Sequence, residues 1–181
     1  MKKNFAFLLL TSCLLLVTAQ SFAQAKNNKP LAKYQTIIVE KATIEQSPST
    51  RDFPGGHDAV MQKSIVANLQ EKKTFTKVID GAETNVPASD GEALILSTQV
   101  IGFDKGNRAT RWAIGLGAGA TKVRVHFVLK DATSGEELLK TDRQGKFYGT
   151  FSFVGGSKEH AVTEAAGDVV DGLIKEINQK R

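Results

Sequence analysis

One candidate for acid–base chemistry is the pair His57 and Asp58, which follows the turn residues Gly55-Gly56. An imidazole and a carboxylate could form an acid–base pair. Neighbours in sequence do not face each other on a helix, however, and Asp58 is equally suited to be the N-cap of the helix that follows. Without a third group, the pair does not define a catalytic site.

A second candidate for chemistry is the pair His160 and Glu164, which are spaced to share one face of a helix and could hold a metal ion together. Two ligands are half of a zinc site. His126 alternates outward on a predicted strand and has no evident route to that helix. We therefore predict no metal site.

The sequence offers only weak candidates for a catalytic nucleophile and for a nucleotide-binding loop. No serine lies in a G-x-S-x-G setting, and the one cysteine, Cys13, lies in the N-terminal segment described below. The glycine-rich stretch 115–119 leads into a strand and lacks a following G-K-[ST], whereas a nucleotide loop must open a helix. We predict no catalytic residues and no cofactor, and we expect the protein not to be an enzyme.

The segment 105–120 is the candidate binding region. Basic residues precede a Trp, and no charge occurs from Trp112 to Ala120. Such a composition suits an interface at which glycines allow close backbone approach. The alternative is an ordinary connection with Trp112 packed on the core. The candidate interface residues are Arg108, Arg111, Trp112, Gly115, Gly117 and Gly119.

The N-terminus has the parts of a secretory signal peptide over residues 1–25. Lys2 and Lys3 precede an apolar run, and small residues spaced for cleavage end at Ala25. The apolar run is too short to span a bilayer. The alternative is that Leu10-Thr11-Ser12-Cys13, which resembles a lipobox, makes Cys13 the lipid-anchored first residue. Either outcome places the protein outside the cytosol, periplasmic or secreted.

Composition limits the remaining possibilities. Removal of the signal lowers the formal charge from +5 to +3 with both signs interspersed, which is not the pattern of a nucleic-acid binder. Without its cysteine, the mature chain cannot form a disulfide and depends on its apolar core. The remaining length suits one domain. We predict a disordered leader at 26–33 and a single domain over 34–181.

Hydrophobic periodicity predicts the order β-α-β, three further strands and a final helix. All four prolines fall between these elements, which supports the assignment. The fold class is α+β: a two-layer sandwich with a mostly antiparallel sheet of about five strands and two helices on one face. The predicted strands are 34–40, 76–80, 93–103, 122–129 and 137–148, and the predicted helices are 58–72 and 157–177.

A set of short motifs is concentrated between residues 102 and 135: Gly106-Asn107-Arg108-Ala109, Arg111-Trp112, residues 115–119, Val123-Arg124-Val125 and residues 131–135. Through these motifs the chain, over roughly residues 37–177, resembles a bacterial family of exported proteins known as domain of unknown function 4410. The resemblance implies family membership and no activity. More distantly, the element order is similar to lipoprotein domains that form rings around curli and exopolysaccharide secretion channels, an analogy of fold alone.

These observations favour a non-enzymatic envelope domain that associates with itself or with an envelope protein through 105–120. One alternative is an enzyme that acts on an envelope polymer through His57, Asp58 or His160. Another is direct contact of Arg108 and Arg111 with anionic lipid at a membrane surface or with anionic polysaccharide.

Mass spectrometry of the exported protein tests the predicted processing. We expect an N-terminus at Lys26, because the small residues at 23 and 25 fit the cleavage site. A mature chain that begins with a lipid-modified Cys13 would contradict this and establish the anchored form.

Overall fold

A computed structural model of the chain describes residues 30–82, 92–106, 120–147 and 158–181. Within these ranges the seven elements that the sequence predicts occur in the predicted order, and the structure contains six strands, two α-helices and a short 3-10 helix. They are β1 (Thr36–Val39), β2 (Thr43–Ile44), the 3-10 helix (Pro48–Thr50), α1 (His57–Glu71), β3 (Lys77–Asp80), β4 (Ala93–Asp104), β5 (Thr121–Asp131), β6 (Glu137–Phe147) and α2 (Lys158–Gln179).

The strands form one sheet in the order β3-β1-β4-β5-β6, and β2 pairs with β4 beyond the end of β1. The two long ladders, β4–β5 and β5–β6, are antiparallel, whereas the short ladders that β1 and β2 make are parallel. The predicted α+β sandwich is confirmed. The sheet has one strand more than expected, because the two-residue β2 is too short to leave a periodic signal.

Strict alternation along the strands separates the sheet into two faces. On β5, Val123, Val125, Phe127 and Leu129 are buried, and the residues between them are partly or fully exposed. The buried positions belong to a single core cluster that also contains the apolar stripes of α1 and α2. Both helices therefore pack on one face, called here the helix face, and we call the opposite one the open face.

A buried amide joins α1 to the two strands that it connects. Gln62 is only 3% exposed, although the helical pattern places it among polar surface positions. Its Nε2 donates to the carbonyl of Val39 at 3.3 Å and to Asp80 Oδ1 at 2.8 Å, and its Oε1 accepts the N–H of Ala42 at 2.9 Å. Buried polar groups require such partners, so Gln62 stabilises the β1-α1-β3 unit at one geometry.

The chain packs against the core earlier than the sequence predicts. Leu31 lies within the predicted disordered leader, yet it is fully buried and its N–H donates to the carbonyl of Lys180 at 3.1 Å. Because residues 26–33 are mostly polar, their composition does not indicate that Leu31 packs against the end of α2. The predicted signal peptide and residues 26–29 lie outside the described residues.

Helix α2 approaches β6 closely at Gly145. A Cβ at this glycine would overlap the carbonyl oxygen of Ala165 and would lie 2.7 Å from Val169 Cγ2. Ala165 and Ala166 are themselves fully buried, so small residues line both sides of the contact. The helix can reach the sheet here only because the strand has no side chain at this position.

We expect Gly145→Ala to lower the free energy of unfolding by about 1–3 kcal/mol, since the added methyl group overpacks the helix–strand contact. Gly167→Ala is the matched control. Its Cβ would meet only Asn68 Oδ1 at an ordinary 3.6 Å, and alanine is favoured over glycine within a helix by up to about 1 kcal/mol. Denaturant titration should show the first variant destabilised and the second unchanged or stabilised. Equal effects of the two would contradict the close contact.

Candidate functional site

The candidate interface segment belongs to one end of the sheet, which we call the loop end. Strand β4 finishes there at Asp104, β5 starts there at Thr121, and β6 finishes there at Phe147. Because α1 and α2 each follow a strand that runs toward this end, both helices begin beside it. The candidate residues Arg108, Arg111, Trp112, Gly115, Gly117 and Gly119 lie outside the described residues, which resume at Ala120.

The two ends of the β4–β5 connection are tied to the body of the domain. Lys105 Nζ lies 3.1 Å from Asp52 Oδ2, and the Thr121 hydroxyl donates to the Lys105 carbonyl at 3.1 Å. Gly106 adopts a φ of 68°, which favours glycine, and its N–H donates to Asp104 Oδ1 at 2.8 Å. The connection therefore leaves and rejoins the sheet at fixed positions.

Aromatic contacts support the loop end from the helix face. Phe53, in the turn before α1, packs edge-on against Phe103 of β4 with 5.4 Å between ring centroids. Phe147 at the end of β6 packs edge-on against His160 of α2 at 5.3 Å. Aromatic pairs of this kind stabilise a fold by more than their buried area alone provides. Here they hold the start of each helix against a neighbouring strand.

His57 is the first residue of α1, and its Nδ1 lies 3.1 Å from the Gly55 carbonyl oxygen. The helix N-cap is Gly56 in a left-handed conformation, so the expectation that Asp58 caps the helix is wrong. Asp58 lies instead in the first turn, where a carboxylate stabilises the helix dipole. The described structure therefore gives both side chains local structural roles.

The other two histidines lie on opposite sides of the sheet. His160 and Glu164 are exposed on α2, as their spacing predicted. His126 points to the open face, where its Nδ1 lies 2.5 Å from Asp142 Oδ1 on the neighbouring strand. Among the described residues, no three side chains of metal-ligating type come together.

At the other end of the sheet, which we call the base end, Asp131 organises the β5–β6 hairpin. One oxygen accepts the N–H groups of Thr133 and Ser134, both at 2.8 Å, and the other accepts the hydroxyl of buried Tyr34 at 2.5 Å. Together these bonds, that of Tyr34 above all, hold the pKa of Asp131 far below its usual range. Burial raises the pKa of Tyr34, which keeps its hydroxyl a donor.

Sequence reasoning overlooked the basic side chains that the sheet collects on its open face. Lys122 and Arg124 alternate with core valines, a pattern already visible in the sequence. On β6, Lys146 lies opposite Lys122 and Lys140 lies opposite Val128, and both could be assigned to this row only once the register was known. A basic row built from two strands is a tertiary feature, and its signal in either strand alone is weak.

The fold and the loop end together define an α+β sandwich with a long connection between its central strands. The chain belongs to the DUF4410 family, a domain of unknown function, whose family model matches residues 56–150. This confirms the resemblance found in the sequence. No curated protein sequence matches the chain significantly.

The chain is similar to several solved structures. Protein XCC0632 from Xanthomonas campestris, of the DUF330 family, is 12% identical over 82% of this chain and 90% of that chain, with a TM-score of 0.51. The PelC dodecamer from Paraburkholderia phytofirmans is 11% identical over 80% and 87%, with a TM-score of 0.49. Lipoprotein GNA1162 from Neisseria meningitidis is 15% identical over 80% and 98%, with a TM-score of 0.43. At these identities the likeness concerns the fold alone.

Neither α1 nor α2, the two helices that the structure describes, has the length and apolarity needed to cross a membrane.

We expect Asp131→Asn to unfold at a lower temperature than the wild type at neutral pH. The folded-state pKa of Asp131 is depressed, so its contribution to stability is present above the unfolded-state value of about 3.9 and is lost as the pH falls below it. The gap between the two melting temperatures should therefore narrow from pH 7 to pH 3. A gap that stays constant over this range would contradict the role of the carboxylate.

Proposed function

We propose that this protein is an exported, non-enzymatic domain of the cell envelope that associates with itself or with an envelope protein through the connection at 105–120. The signal-peptide pattern at residues 1–25 supports export, whether the mature chain starts at Lys26 or is anchored through Cys13. Export and association are separate parts of the proposal, and each has its own test.

The observation that carries association is the connection between β4 and β5. These strands stay paired as far as Asp104 and Lys122, a geometry that a two-residue turn could close. The chain instead continues from Gly106 to Ala120. This stretch contains Trp112, four glycines and no acidic residue. Long connections within a compact domain are usually functional, and one that combines a Trp with small residues suits a protein interface.

The position of the connection also supports this proposal. The described chain starts at the base end, where Leu31 packs against Lys180, and the connection leaves the sheet at the loop end. A leader or lipid anchor would therefore be attached at the end of the sheet away from 105–120. This arrangement leaves the loop end accessible to a partner.

Sedimentation velocity of residues 26–181 over a concentration series tests self-association, and capture from envelope extract tests partner binding. We expect Trp112→Ala to weaken association, because truncation of a Trp at an interface typically costs 2 kcal/mol or more, roughly thirtyfold in affinity. Val86→Ala, in the β3–β4 connection, is the control for loss of an apolar side chain elsewhere and should behave as wild type.

Thermal unfolding of Trp112→Ala distinguishes the two interpretations of this residue. An interface Trp leaves the free energy of unfolding within about 0.5 kcal/mol of wild type, whereas a core Trp lowers it by about 3–5 kcal/mol. A strictly monomeric protein whose Trp112→Ala variant keeps every captured partner would overturn the association proposal.

A further inference from the structure

The open face of the sheet carries a row of basic side chains along β5 and β6. On β5, Lys122, Arg124 and Lys130 alternate with core residues, so they point away from both described helices. On β6, Lys140 and Lys146 occupy cross-strand positions on the same face, opposite Val128 and Lys122. We call these five residues the basic row.

The side chains of the basic row are accessible to solvent. Each is exposed or half-buried, and none makes a hydrogen bond or an ion pair within the parts of the chain that the structure describes. By contrast, Lys33, Lys72 and Lys105, elsewhere on the surface, each face a carboxylate within 4.0 Å. The row is therefore a set of cations available to a ligand.

Carboxylates also lie on the open face, but none forms an ion pair with the row among the described residues. Asp104 is the cross-strand partner of Lys122 and accepts the N–H of Gly106. Asp142 contacts His126, and Glu40 accepts the hydroxyl of Ser97. Glu137 is in register with Lys130, at the base end of the row, but forms no ion pair with it. The five cations of the row outnumber these four carboxylates on the open face.

Two of these cations oppose each other directly. Lys122 and Lys146 are cross-strand partners in the β5–β6 ladder. Like charges in that position destabilise a sheet, and a bound anion between them would relieve the repulsion. Arg124, the next open-face residue along β5, is opposite the uncharged Gln144 and extends the same cluster.

The position of Arg124 depends on a glycine in the neighbouring strand. Its guanidinium lies over Gly102 of β4, where a Cβ would come within 2.7 Å of Nε and 2.9 Å of Nη2. The absent side chain lets Arg124 lie flat across the sheet. A planar guanidinium held in this way is suited to a carboxylate, which it can bind through two parallel hydrogen bonds.

We propose that the basic row binds a linear acidic polysaccharide that lies along β5 and β6. The row from Lys122 to Lys130 spans about 26 Å at the rise of a β-strand, which fits an extended polyanion better than a single small anion. Gln99, His126 and Gln144 lie among the cations and offer hydrogen bonds to sugar hydroxyl groups. The proposal is independent of association through 105–120.

The same face is poorly suited to enter a bilayer. Interfacial binding requires apolar side chains that reach beyond the polar ones. On this face Ile95 and Val128 are half-buried, and Ile38, the cross-strand partner of Ile95, is buried. The charge of the face therefore favours a polyanion that stays in water.

Binding of polygalacturonate to residues 26–181, measured by calorimetry at low salt, tests the proposal. The fully methyl-esterified polymer has the same backbone without the carboxylates, and vesicles of phosphatidylglycerol and phosphatidylcholine offer anionic lipid instead. We expect Lys122→Gln/Lys146→Gln to weaken polygalacturonate binding on the order of tenfold and to reduce its salt dependence. Lys63→Gln/Lys175→Gln removes the same charge from exposed positions on α1 and α2 and should have little effect.

Two further variants examine the geometry of the row. Lys130→Gln/Lys140→Gln should also weaken binding, because an extended polymer contacts both ends of the row. Gly102→Ala keeps the net charge and displaces only the flexible Arg124 side chain, so it should weaken binding while the melting temperature stays near that of wild type. The melting temperature of Lys122→Gln/Lys146→Gln should be unchanged or raised, because the opposed charges are gone.

Several results would overturn the proposal. Equal losses from the α1/α2 control and from Lys122→Gln/Lys146→Gln would mean that net charge alone attracts the polymer. Equal affinity for the methyl-esterified polymer would exclude recognition of carboxylates. Binding to the anionic vesicles without binding to polygalacturonate would assign the face to lipid instead.

Discussion

The pairing of β4 along both of its edges is the constraint on which the rest of this structure depends. One edge of β4 pairs with β1 and then with β2, both parallel to it, and the other pairs antiparallel with β5. The strand thereby joins a β-α-β unit to an antiparallel meander. Both helices begin at the loop end and lie on the same face of the sheet. The two halves therefore share one apolar core.

Packing both helices on one side has consequences for each face. The helix face is closed by contacts that tolerate little change, such as the approach of α2 to Gly145 and the buried amide of Gln62 between β1 and β3. The open face, free of the described helices, can carry unpaired charge on β5 and β6 in contact with water. The loop end and the basic row meet at Thr121 and Lys122, so the two proposed surfaces adjoin each other without sharing a ligand.

The polar residues that first suggest chemistry take part mainly in local structure. His57 contacts the carbonyl of Gly55, and Asp58 lies in the first turn of α1. His126 pairs with Asp142 across two strands, on the opposite side of the sheet from His160. These placements give each of these side chains a contact that belongs to the fold itself.

The sequence by itself determined the order and approximate bounds of the principal elements and the α+β class, because apolar spacing reports directly which residues must be buried. It also determined the family and the signal-peptide pattern. It missed β2, the burial of Leu31 and the buried role of Gln62, since each depends on one contact with a distant part of the chain. Only the tertiary structure decided that β1 pairs in parallel with both β3 and β4, and that Lys122 opposes Lys146. The physical reason is that periodicity assigns a residue to a face, whereas the register between strands is set by packing across the whole sheet.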